Sequence, residues 1–213
     1  MSDGSNPWVS GPTMADNPEE QVAIAPVNVP RATGPVAPQR DVRAPDHVDQ
    51  LPVMEHVRAA DLWWVGAHGG AGESTLAHLV PEWRAAEGAW PRVTGQGEPA
   101  RVVLVARTHV AGLKAAQTAA TQWAAGLVPE VELLGLVLVA DAPGRLPRPL
   151  RDLAQLVSGG VPRTWTVPWV EQWRLGHEVL LADAPRQVRH LVTELTALIR
   201  AGAPAGTANR KED

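Results

Sequence analysis

The chain has 213 residues, 45% of them hydrophobic, a formal net charge of -4 and no cysteine. That length allows one domain of ordinary size with tails. The lack of thiols excludes disulfides, thiolate zinc sites and cysteine nucleophiles. The acidic balance, with a pI near 6.0, argues against a nucleic-acid partner recruited by bulk charge. There is no basic-then-apolar leader and no apolar run of about 18 residues, so a soluble cytoplasmic protein without a membrane span is expected. Tryptophan is the only aromatic residue, and lysine occurs only at Lys114 and Lys211. The arginine bias fits a GC-rich coding sequence and carries no functional weight.

Residues 1–57 hold nine of the twenty prolines and little periodic pattern. They read as a disordered or extended Pro-rich arm. Residues 22–25 and 51–54 are short apolar stretches able to dock on the domain. His47, Asp49, Glu55 and His56 are ligand types without the spacing of a known metal site, so linker polarity is expected there and no metal is assigned.

The domain, 58–201, opens with a strand at 62–65. Trp63 and Trp64 must point to opposite faces of that strand, so both faces should be covered. A glycine loop follows, then a helix over 74–80. Pro81 ends or bends that helix, leaving 81–87 as a short turn or a bent continuation. Residues 88–100, with Gly88, Pro91, Gly95, Gly97 and Pro99, read as a loop. A buried strand is expected at 102–106, and Thr108 caps a helix over 109–125. The next strand, 133–139, ends at Asp141. A helix at 149–157 is closed by Gly159 and Gly160. A fourth strand spans 163–167, and 169–176 is a turn or short helix. Asp183 caps the last helix, which has Pro185 in its first turn and Leu191, Leu195 and Leu198 on one face. Residues 202–213 form a disordered tail.

Strand and helix alternate four times, which predicts an α/β three-layer sandwich with a mainly parallel sheet. Ligands in such sheets sit beyond the carboxyl ends of strands. Here those ends are the glycine loop, Arg107-Thr108, Asp141 and Pro168-Trp169.

The loop carries the chemistry. Gly66, Gly69, Gly70 and Gly72 let successive amides turn inward, and Ser74 and Thr75 open the helix. This is the layout of a phosphate-binding loop, with the Ser74 hydroxyl placed for Mg²⁺. Glu73 stands where the lysine of such a loop would be. Two unit charges at 4 Å interact by about 4 kcal/mol at an effective dielectric of 20, so reversing the sign is a large perturbation. His68 is at best a partial cation near neutral pH.

The segment Ala67-His68-Gly69-Gly70-Ala71-Gly72-Glu73-Ser74-Thr75 resembles the deviant P-loop of the ParA/MinD ATPases, x-K-G-G-x-G-K-[ST]-T. It departs from that pattern at both lysines, where His68 and Glu73 stand. The likeness runs from about residue 61 to 174. It takes in the strand ending at Thr108, the strand ending at Asp141 in place of the base-contacting Asn region, and Thr166-Val167-Pro168-Trp169 in place of the segment beside the adenine. The loop is also similar to that of an actinobacterial group associated with mobile elements.

The resemblance implies a P-loop NTPase-like fold with Gly66, His68 to Thr75, Asp141, Pro168 and Trp169 as nucleotide-site residues, and ATP with Mg²⁺ as the cofactor if any is bound. It also implies strands bearing the switch and Walker B aspartates between the first helix and residue 102. No strand ending in Asp is legible there. The expected protein is thus a trimmed pseudoenzyme with a degenerate Walker A loop and no assigned catalytic residue. It would act as a binding or regulatory partner, with a second protein or a second copy of itself. The alternatives are a weak ATP-binding ATPase of the ParA/MinD type that takes its cation in trans, from a lysine or arginine donated across a dimer, and an accessory factor in plasmid partition or conjugative transfer. Without switch strands the strand at 62–65 would be an open edge, covered by 22–25, by 51–54 or by a partner chain.

Lesser candidates are weighed as structural. Trp165, Trp169 and Trp173 suit packing of the last helix or a stacking wall. Arg145, Arg148 and Arg151 suit a solvated helix start. Glu171, His177 and Glu178 make no acid/base pair, and Ser74 lies in no G-x-S-x-G elbow.

Overall fold

The computed structural model describes residues 29–95 and 97–202. Its main sheet has five parallel strands: β2 (Leu62–Gly66), β3 (Trp83–Ala85), β5 (Ala100–Arg107), β6 (Val131–Val139) and β7 (Thr164–Val167), in the order β3-β2-β5-β6-β7. A separate parallel ribbon joins β1 (Val53–His56) to β4 (Trp90–Val93). Helices α2 (Val110–Ala124) and α3 (Arg148–Ser158) cover one face of the sheet. Helices α1 (Glu73–Ala77) and α5 (Arg186–Ala201) cover the other, and a one-turn helix α4 (Glu171–Arg174) follows β7. The protein is therefore an α/β sandwich of three layers with a parallel sheet. Among the described residues no helix is long and apolar enough to cross a membrane.

The tryptophan pair in β2 shows why both faces are closed. Trp63 is 2% exposed and joins Val65, Val102, Leu104, Leu113, Trp123 and Leu136 on the α2 face. Trp64 is 0% exposed and joins Leu76, Val103, Val105, Trp165 and Leu195 on the α1/α5 face. Period-2 alternation in a strand buried on both sides gives this division.

Two segments differ from the expectation. Residues 83–85, expected as a turn or bent helix, form β3, with Leu62 paired to Trp83 and Trp64 to Ala85. Three residues are too few to register as a strand pattern, and only pairing with β2 makes them one. Since β2 has β3 on one side and β5 on the other, it is not an open edge and needs no cover. Residues 88–100, expected as a loop, contain β4. Pro91 is tolerated in it because β4 pairs only with β1 in a two-stranded ribbon. Neither β3 nor β4 ends in Asp; beyond β3 the acid is Glu87, exposed and at φ 55°.

Residues 22–25 lie outside the described residues. Leu51 docks by backbone hydrogen bonds to one side chain. Its N–H donates to Gln122 Oε1 at 3.0 Å, and Gln122 Nε2 donates back to its carbonyl at 2.9 Å. Trp90 Nε1 donates to the same Oε1 at 2.9 Å. Gln122 is 3% exposed, so this amide substitutes for a strand neighbour at a buried position. Upstream, Gly34 and Thr33 donate to Pro162 O, and Arg163 Nε donates to Pro30 O. Burial lowers the affinity of the Arg163 guanidinium for its proton, while Glu132 and Glu194 act in the opposite direction.

The helix caps also shift. His109, not Thr108, caps α2, accepting from Gly112 N at Nδ1 (2.9 Å). Thr108 Oγ1 accepts from Asp141 N instead. The last helix is preceded by Pro185 at its cap position rather than Asp183. Helix α1 ends at Ala77, three residues short of the expectation.

Candidate functional site

The four carboxyl ends meet along one edge of the sheet. The glycine loop, residues 66–72, leaves β2 and turns into α1. Gly72, at φ 107°, adopts a backbone that a Cβ would strain, and it sets the direction from which Glu73 leaves. The Glu73 side chain folds back under the loop. Its Oε2 accepts from Gly66 N at 2.6 Å and from Gly88 N at 3.3 Å. Glycine at 66 leaves room for this, since a Cβ there would lie 3.1 Å from the carboxyl carbon and from Oε2 and the Glu73 side chain would have to give by a few tenths of an ångström. The carboxylate thus ties together the end of β2, the start of α1 and the turn after β3. Charge-assisted bonds of this kind are the stronger class.

His68 is fixed at both ring nitrogens. Nε2 accepts from Arg107 N at 3.0 Å, and Nδ1 lies 2.9 Å from Gly69 O. This pattern describes the tautomer with hydrogen on Nδ1. Close packing behind the ring demands Gly112, whose Cβ would sit 2.8 Å from His68 Nε2 and 2.4 Å from Arg107 O. His68 and His109 stack obliquely, with ring centroids 5.0 Å apart.

Arg107, at the end of β5, was legible as a strand's carboxyl end but not as a site residue. Its Nε donates to Gly70 O at 3.2 Å and its Nη1 to Ala140 O at 3.1 Å. The side chain therefore bridges the glycine loop to the end of β6. No motif flags it; only the sheet order, which puts β5 between β2 and β6, gives it this place.

Three adjoining hollows line the edge. One, of about 130 Å³, lies between Gly72, Thr75, Arg107, Pro168, Trp169 and Trp173. A second, of about 160 Å³, lies between His68, Gly69, Gly70, Arg107, Asp141 and Arg174. A third, of about 390 Å³, is mostly apolar and includes Asp141, Leu138, Leu146, Leu150 and Pro168. Of the expected site residues, His68, Gly69, Gly70, Gly72, Thr75, Asp141, Pro168 and Trp169 line these hollows. Gly66 and Ala71 are buried, Glu73 is turned back, and Ser74 is exposed.

The tryptophan cluster divides. Trp165 is 9% exposed beneath α5 and donates to Glu194 Oε2 at 2.6 Å. Trp169 and Trp173 face the first hollow. Arg148 pairs with Asp152 at 3.8 Å at an exposed helix start. His56 lies against Trp63, centroid to centroid 4.2 Å. Among the described residues no three His, Cys, Asp or Glu side chains gather as a metal site.

Comparison with curated proteins and with solved structures gives no match. A family model does match, over residues 60–192, which covers the sheet, the glycine loop and all three hollows. The chain belongs to that family, described as a family of unknown function (DUF6668).

Proposed function

We infer that this is a non-hydrolysing binding or regulatory protein derived from the P-loop NTPases, with a phosphate loop closed by its own carboxylate. The observation that carries this is the Glu73 tie to Gly66 and Gly88. In a working loop of this type a lysine reaches the β- and γ-phosphates. Here a carboxylate takes that sequence position and is engaged with backbone donors. An anion held there opposes an incoming polyphosphate, and it supplies nothing to the charge that develops in phosphoryl transfer. Among the described residues no aspartate ends a strand between α1 and β5, where the usual holders of Mg²⁺ and water would stand.

The experiment is phosphate release from Mg-ATP by the full chain over an extended incubation. No release above the buffer background is expected, and steady turnover would overturn the inference.

A second reading is favoured by Arg107. Its guanidinium reaches the loop at Gly70 O and places in cis a cation that a weak ATP-binding ATPase of the ParA/MinD type would otherwise have to take in trans. That reading predicts turnover in the same assay, lost in Arg107→Gln.

A further inference from the structure

Two arginines converge on the hollow of about 160 Å³, Arg107 from the end of β5 and Arg174 from the end of α4. Arg107 is anchored through Nε and Nη1 to two carbonyls. Its other terminal nitrogen has no acceptor among the described residues and can donate. Among the described residues neither arginine has an acidic partner at ion-pair distance. Among the described residues Asp141 is the single acid on the rim, so two guanidinium groups face one carboxylate there. A partly buried guanidinium held by carbonyl dipoles and left without a counter-ion is a preorganised anion receptor. His109 accepts at Nδ1 from Gly112 N, which leaves its Nε2 carrying hydrogen. His68 contributes no donor, since both its nitrogens are engaged.

The same hollow shares His109 and Asp141 with the apolar cavity of about 390 Å³ walled by Leu138, Leu146 and Leu150. Apolar walls with a few convergent polar groups are the composition of a small-molecule site.

We propose that this trough binds a small phosphate monoester with an apolar body, without a metal ion. The phosphate sits between Arg107 and Arg174, and the body lies against the leucines. The forked donors of arginine suit a phosphate better than a single point charge does. The proposal rests on the preceding inference that this is a binding protein, but it uses neither Glu73 nor α1.

The test is calorimetric titration of the full chain in EDTA with phenyl phosphate, inorganic phosphate and benzyl alcohol. Saturable binding of phenyl phosphate is expected, at least about tenfold tighter than inorganic phosphate, with no binding of the alcohol. Arg174→Gln changes an exposed side chain and is expected to weaken phenyl phosphate by about tenfold or more. Arg107→Gln should do the same, and its thermal midpoint reports whether the Gly70 and Ala140 contacts were also needed for folding. Failure of the wild type to bind phenyl phosphate, or undiminished binding in Arg174→Gln, overturns the proposal. Hydrolysis of Mg-ATP would instead overturn the non-hydrolysing assignment and leave this one standing.

Discussion

Replacing Glu73 by alanine removes a side chain that joins β2, α1 and the turn after β3. Gly66 N–H is then buried without its acceptor at 2.6 Å, and Gly88 N–H loses a longer bond of 3.3 Å. A hydrogen bond to a charged group contributes about 1.5–3 kcal/mol, and stranding a buried donor costs about 1–3 kcal/mol. These overlap rather than add, so a net loss of about 2–4 kcal/mol is expected. For a chain of this size that lowers the thermal midpoint by about 5–15 °C. The assay is thermal unfolding followed by tryptophan fluorescence. Glu73→Gln keeps one acceptor oxygen and should recover about half of the loss, since a neutral acceptor is roughly half as strong. A midpoint for Glu73→Ala within about 1 °C of wild type would refute the reasoning, because it would mean the carboxylate holds nothing.

Gln122→Leu strands three partners, Leu51 N–H, Leu51 C=O and Trp90 Nε1. A loss of about 2–4 kcal/mol is expected, with faster proteolytic cleavage near residues 51–57 than in wild type; limited proteolysis with mass spectrometry reads both sites and rates. Gly112→Ala forces a methyl to within 2.4 Å of Arg107 O and 2.8 Å of His68 Nε2. It should cost about 1–3 kcal/mol in denaturant unfolding and displace the His68 ring resonances in NMR spectra. Trp165→Phe keeps the apolar packing but gives up the bond to Glu194 Oε2, and a smaller loss of about 1–2 kcal/mol is expected in the same unfolding assay.

How much could be read from the residues alone differs along the chain for physical reasons. β5 and β6 are largely apolar runs and β7 a short alternating one, and their pairing follows from alternation with helices. The opposed burial of Trp63 and Trp64 follows from strand geometry alone. β3 and β4 were hidden because Trp83-Arg84-Ala85 and Trp90-Pro91-Arg92-Val93 carry no strand pattern of their own. Each exists only through a partner strand, β2 or β1. The docking of Leu51 depends on Gln122, 71 residues away, and a buried glutamine in an alanine-rich helix gives no local signal of its partner.

At the site, the glycines led to the expectation of a phosphate loop, with Glu73 in place of its lysine. That the charge is turned inward depends on Gly88, which is distant in sequence and brought near by β3. Arg107 stood at a strand's carboxyl end and Arg174 in a turn or short helix; sheet order and the short α4 are what aim both into one hollow.

The most direct measurement is calorimetric titration of the wild-type chain with ATP and with ADP in the presence of Mg²⁺, alongside Glu73→Lys. A loop closed by its own carboxylate predicts no saturable heat for the wild type at millimolar nucleotide, with any binding gained only by Glu73→Lys. Micromolar binding of Mg-ATP by the wild type would contradict it.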